Sequence, residues 1–204
     1  MKKNILLVFL IVFAMMLASA CGFANSKDNT APPKGEQAAE AGQDNSETPE
    51  VTPEGSGSVA HEVGVNVGNI APDFTLKDLK GNEVTLSKLK GKKVFLNFWT
   101  TECPYCRMEM PEINRFYREY GDKISIYGIN LGENTERVER FISDNKLGFP
   151  ILMDDTLDVG YAYNIYFIPE SVFIDEDGVV KAVINSAMNY DQMVSIFEGM
   201  DKPE

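Results

Sequence analysis

Two of the chain's three cysteines, Cys103 and Cys106, stand two residues apart in "NFWTTECPYCRMEMPEIN", Asn97 to Asn114, beside the only tryptophan, Trp99. Three chemistries fit Cys-x-x-Cys. The pair can close a structural disulfide, supply half of a zinc site, or work as a redox dithiol. Zinc needs further ligands, and residues 63–204 hold no histidine and no other cysteine. The redox reading draws on position. An apolar run, "KVFLNFW", precedes the pair and a helix-patterned stretch follows from Pro104. Cys103 is thereby placed at a helix N-terminus, where unpaired N–H groups and the positive end of the dipole favour thiolate. Cys106, one turn in, is placed to attack a mixed disulfide formed on Cys103 and release the product.

The elements that must hold this pair are legible as an alternation. "APDFTLKDLKGNEVTLSKLKGK" reads as two short strands around a turn at Lys80 to Asn82, then an exposed basic loop. "KVFLNFW" and "ISIYGIN" read as strands buried in a sheet, the first on both faces. A helix is expected from Pro104 to Tyr120, stopped by Gly121, with Pro111 inside it. "NTERVERFISDNKLG" is an amphipathic helix capped by Asn134, with Val138, Phe141 and Ile142 at helical spacing. "FPILMD" is a short strand and Leu157 to Tyr163 a short helix. "SVFIDEDGVVKAVI" turns at Asp177-Gly178 as a hairpin, and Tyr190 to Met200 closes the chain with a helix. The pattern predicts an α/β domain on a mixed sheet.

The ends say where such a domain works. Lys2 and Lys3, an apolar run from Ile5 to Leu17 and small residues up to Cys21 have the layout of a secretory signal over residues 1–20, short for a membrane span. "ASA" directly before Cys21 resembles a bacterial lipoprotein box, although Ala18 stands where leucine is usual. Cleavage there would leave Cys21 lipidated and the mature protein anchored outside the cytoplasmic membrane. Residues 21–62 are Ala, Gly, Ser, Thr, Pro and acid, with eight acids to two bases, and are expected to form a disordered tether. His61, the only histidine, falls in it. Residues 63–204 are long enough for one domain with a sizeable core. The chain's net charge of −12 argues against nucleic acid as a partner.

The ordered set "APDFTL", "VTLSKLKGK", "FLNFWTTECPYCRMEMPEI", "FPILMD", "IYFIP" and "FIDEDG" resembles the thioredoxin-fold thiol-disulfide oxidoreductases of the membrane-anchored, extracytoplasmic TlpA/ResA-like branch, within the AhpC/TSA–redoxin superfamily. The resemblance runs from about Val67 to Met200. It implies a thioredoxin-like fold: a mixed central sheet flanked by helices, an N-terminal β-hairpin, and an inserted helix and strand in "GENTERVERFISDNKLGFPILMD". It implies no cofactor beyond a redox-active Cys103–Cys106 disulfide, and no metal. Its clients would be disulfides in exported proteins, as in cytochrome c maturation or sporulation, with electrons drawn from a membrane thiol carrier.

The resemblance also gives roles to single residues. Pro169 in "FIPES" matches the family's cis-proline opposite the dithiol, which would bare the backbone of Ile168 for pairing with a substrate strand. Trp99 packs the strand end beneath the cysteines and joins Ile168 and Pro169 in the set expected to bind substrate. Glu109 falls where this branch keeps a partly buried acid that exchanges protons with Cys106. Asn97 replaces the buried aspartate of cytoplasmic thioredoxins, so that route is absent.

Two departures bear on redox tuning. Glu102 stands where tryptophan usually precedes the first cysteine, and its carboxylate would oppose thiolate at Cys103 unless Arg107 offsets it. The intervening pair, Pro104-Tyr105, is more familiar from glutaredoxins. Other readings remain open on sequence. A peroxiredoxin-type peroxidase shares the "APDFTL" opening and Thr100-x-x-Cys103, but has proline where Leu96 stands. A copper chaperone needs a wider cysteine spacing and a histidine. A surface lipoprotein with an inert disulfide needs no activity at all.

Overall fold

The structure, a computed structural model, describes residues 62–201. The expectations for the signal, for Cys21 and for most of the tether lie outside the described residues. Seven strands form one mixed sheet in the order β2-β1-β5-β4-β3-β6-β7. They are β1 Thr75–Asp78, β2 Glu83–Thr85, β3 Lys93–Trp99, β4 Ile124–Leu131, β5 Ile151–Asp154, β6 Glu170–Ile174 and β7 Val180–Ile184. The helices are α1 Pro104–Tyr120, α2 Thr135–Asp144, α3 Asp158–Ala162 and α4 Tyr190–Gly199. The architecture is thioredoxin-like, with the hairpin β1–β2 and the inserted α2 and β5 in the places expected of them.

Strand β3 is interior to the sheet, parallel to the central β4 on one side and antiparallel to β6 on the other. All seven of its residues are buried, so its sequence shows no polar alternation. Successive side chains still go to opposite faces. Phe95 and Trp99 join Met110, Ile113 and Phe116 of α1 and Met193 and Phe197 of α4 in one core. Val94, Leu96 and Phe98 join Phe74, Ile129, Leu152 and Tyr163 in the other. On the first face Asn97 is the polar residue between Phe95 and Trp99, which sets up its meeting with α1.

Each helix stands where its sequence allows a start. Asn134 caps α2 by accepting from the Arg137 N–H at 2.9 Å. Asn189 and Gln192 close a reciprocal capping box at α4, at 2.9 Å in each direction. Pro111 lies inside α1 without ending it. A proline there costs about 3 kcal/mol in an isolated helix, and burial of Met110, Ile113 and Phe116 offsets it. One local expectation was incomplete: the basic loop after β2 begins as a 3-10 turn, Leu86–Leu89, because Leu86 turns into the second core.

Candidate active site

Strand β3 ends at Trp99, and four residues later Cys103 caps α1. Its sulfur accepts from the Cys106 N–H at 3.1 Å, and Pro104 fills the first helical position, where a missing N–H is harmless. Cys103 and Cys106 are joined in a disulfide, their Cα atoms 5.2 Å apart. The two residues are both buried but not equally. Cys103 retains 9 % of its surface, while Cys106 retains none.

Ile168 and Pro169 lie in the bend just before β6, with Ile168 against the pair. Their peptide bond is cis, and the Ile168 carbonyl oxygen lies 3.7 Å from Cys103 Sγ. Tyr166 and Phe167, just before them, are among the most exposed large side chains in the domain, together with Tyr105 between the cysteines.

Glu109, one turn beyond Cys106, is 1 % exposed. Its Oε1 accepts from the Met188 N–H at 3.0 Å and its Oε2 from Asn97 Nδ2 at 3.1 Å. Burial raises its pKa from 4.5 to about 7, against the pull of those two hydrogen bonds, which favour the anion. Asn97 gives its second amide proton to Ser171 Oγ at 3.0 Å, and its Oδ1 has no partner. A neutral Glu109 therefore has an acceptor at hand if the Asn97 amide turns over. The arrangement can hold one proton near neutral pH beneath the redox pair.

A model of the AhpC/TSA family matches residues 67–183. The chain belongs to the AhpC/TSA family. It is 41 % identical over 138 residues to the thiol-disulfide oxidoreductase ResA of Halalkalibacterium halodurans, covering 67 % of this chain and 78 % of that one. Among solved structures it is similar to StoA from Bacillus subtilis, at 32 % identity and a TM-score of 0.56, over 62 % of this chain and 96 % of that one. It is also similar to a secreted Mycobacterium tuberculosis disulfide oxidoreductase homologous to E. coli DsbE, at 27 % identity and a TM-score of 0.57, over 62 % and 95 %. This AhpC/TSA-family chain is an oxidoreductase acting on disulfides, and its redox group is the Cys103–Cys106 disulfide itself.

One sequence expectation needs correction. Trp99 is fully buried, its ring 5.3 Å from that of Phe141, so it presents no surface to a substrate and serves only as the floor. Gly128 is required beside it, because a Cβ there would come within 3.0 Å of Trp99 Nε1. The Arg107 guanidinium lies over the Phe141 ring, 6.0 Å from the centroid. Glu102 points into solvent and pairs with Arg137 of α2.

Sequence reasoning missed the cluster behind that pair. Glu133 accepts from the Thr101 N–H at 2.6 Å, the Thr101 hydroxyl at 2.5 Å and Asn130 Nδ2 at 2.7 Å. Arg137 Nε donates to Thr101 Oγ1 at 2.8 Å and lies 3.2 Å from Glu133. The segment carrying Cys103 is thus fastened to the loop between β4 and α2. Glu133 and Arg137 are spaced i,i+4, but nothing local marks their meeting with Thr101, more than thirty positions away.

Proposed function

We propose that the chain reduces disulfides in exported proteins from the outer side of the cytoplasmic membrane, tethered by lipid on Cys21. The observation that carries the redox assignment is the asymmetry of the pair: Cys103, at the helix N-terminus, keeps a small exposed surface, and Cys106 keeps none. In the reduced form the Cys103 thiolate attacks a client disulfide, forming a mixed disulfide and expelling one client thiolate. Cys106 then gives its proton to Glu109 and attacks Cys103 Sγ, which releases the second client thiolate. The client gains two electrons and the enzyme is left as the Cys103–Cys106 disulfide, to be reduced again by a membrane thiol carrier. The carbonyl of Ile168 and the flanking Phe167 form the edge on which an extended client segment lies.

Cys106→Ala is expected to accumulate mixed disulfides with clients, and Cys103→Ala to accumulate none. Trapping by Cys103→Ala alone would reverse the roles. Direction is read from the reduction potential of the couple: about −270 mV marks a reductant and about −120 mV an oxidant. Insulin reduction without peroxide consumption is the expected activity profile, and rapid peroxide turnover would favour the peroxidase reading instead.

A further inference from the structure

A cation in the first turn of a helix sits at the unfavourable end of the macrodipole, yet Arg137 occupies the third position of α2, where a capping box would place an acid. Its side chain leaves the helix for the active-site segment. Nε donates to Thr101 Oγ1 at 2.8 Å, and the terminal nitrogen pairs with Glu102, the residue directly before Cys103. Glu102 is thus the one carboxylate adjoining the attacking sulfur in sequence, and it is held by a cation supplied from the inserted helix.

We propose that Arg137 is a positioning residue of the redox reaction: it holds Glu102 turned away and cancels its charge, so that the acid before Cys103 does not oppose thiolate. The inference rests on Cys103 being the attacking thiol. The charged groups around that sulfur are Glu102, Arg107 and Glu109 on its own segment, Glu133 and Arg137 from the loop and helix after β4, and Glu170 just past Pro169. Glu133 also pairs with Arg137, at 3.2 Å, but is held besides by Thr101 and Asn130, whereas Glu102 is largely exposed. Arg107 is engaged by Phe141. Glu109 lies below, on the Cys106 side. Glu102 is therefore the charge whose effect on Cys103 depends most on whether Arg137 is present.

The test is the pH profile of Cys103 alkylation by iodoacetamide in the reduced full-length protein, with modification at Cys103 resolved from the other cysteines by peptide mass. No client is involved, so failure of disulfide reduction in a client assay leaves the result readable. Arg137→Gln is expected to slow alkylation at neutral pH about threefold, the size of an exposed ion pair. Glu102→Gln/Arg137→Gln is expected to return to the wild-type rate, and Arg137→Lys, which keeps the charge, to stay close to it. Raising salt to about 0.5 M is expected to relieve most of the slowing, since the freed carboxylate is exposed. A wild-type profile in Arg137→Gln overturns the proposal. So does a double variant that stays as slow as Arg137→Gln, because the slowing would then come from loss of the Thr101 contact and not from Glu102.

Discussion

At Glu109 two hydrogen bonds favour the anion and burial opposes it, and burial wins, leaving the carboxyl with a pKa of about 7. The consequence for stability has a definite sign. Between 4.5 and about 7 the folded protein holds a proton that the unfolded chain releases, so stability from this group is complete below the unfolded value and is lost as pH rises through the folded one. The full loss is about 3 kcal/mol. Glu109→Gln keeps the shape and removes the titration. In urea unfolding of the oxidised protein, the variant is expected to gain on wild type steadily from pH 5 to pH 8. A difference between the two that stays constant across that range would show that Glu109 does not titrate there. The same residue tests the proton relay: in the reduced protein Glu109→Gln is expected to slow client release, because Cys106 loses the acceptor beneath it.

Asn97 gives a second test at this scale. It contacts Glu109 and Ser171 inside the first core. Asn97→Asp places a second acid against Glu109, and two adjoining carboxyls cannot both ionise cheaply. The variant is expected to unfold at lower urea than wild type at pH 8 and to recover most of the difference at pH 5. Equal loss at both pH values would assign the effect to packing alone.

Helix α2 ties its own start to the redox segment. Asn134 caps the turn that carries Arg137, so Asn134→Ala is expected to cost about 1 kcal/mol in urea unfolding and to move the Cys103 alkylation profile in the direction of Arg137→Gln. Loss of stability with an unmoved profile would mean that the turn holds without its cap. Helices and strands of this kind were legible in sequence because each carries its own signal: periodic apolar residues in α2, Gly121 after α1, Asp177-Gly178 between β6 and β7. Cys103 and Cys106 were legible for the same reason, being local in the chain. The pairing of β1 with β5, which joins Lys77 to Met153, has no local mark. Neither does the Thr101–Glu133–Arg137 cluster. Both are products of sheet order, and Arg137 in particular reads locally as one more exposed charge on a polar helix face. Trp99 was misplaced by its type: an aromatic beside a reactive pair suggests a contact surface, but its position on β3 points it into the core.

At the scale of the whole chain the proposed membrane attachment is what remains to be tested. Among the described residues no helix is long and apolar enough to cross one. Electrostatics does not supply the attachment either, since a chain with net charge −12 is repelled by anionic lipid. The attachment we propose lies in residues 1–61, as an acylated Cys21, and its alternative is a leader that is never cut. These differ in one substitution. Cys21→Ala removes the acceptor thiol and leaves the apolar run from Ile5 to Leu17 intact. With a lipid anchor, wild type is expected to take up labelled fatty acid and to sediment with membranes after leader cleavage, because two acyl chains hold where one would exchange. Cys21→Ala is expected to take up none, and any molecules whose leader is still removed are expected in the soluble fraction with insulin-reducing activity unchanged. A variant that is cleaved and yet sediments would place the anchor elsewhere in the chain. A wild-type protein that sediments at its full uncleaved mass without label would make the leader itself the anchor.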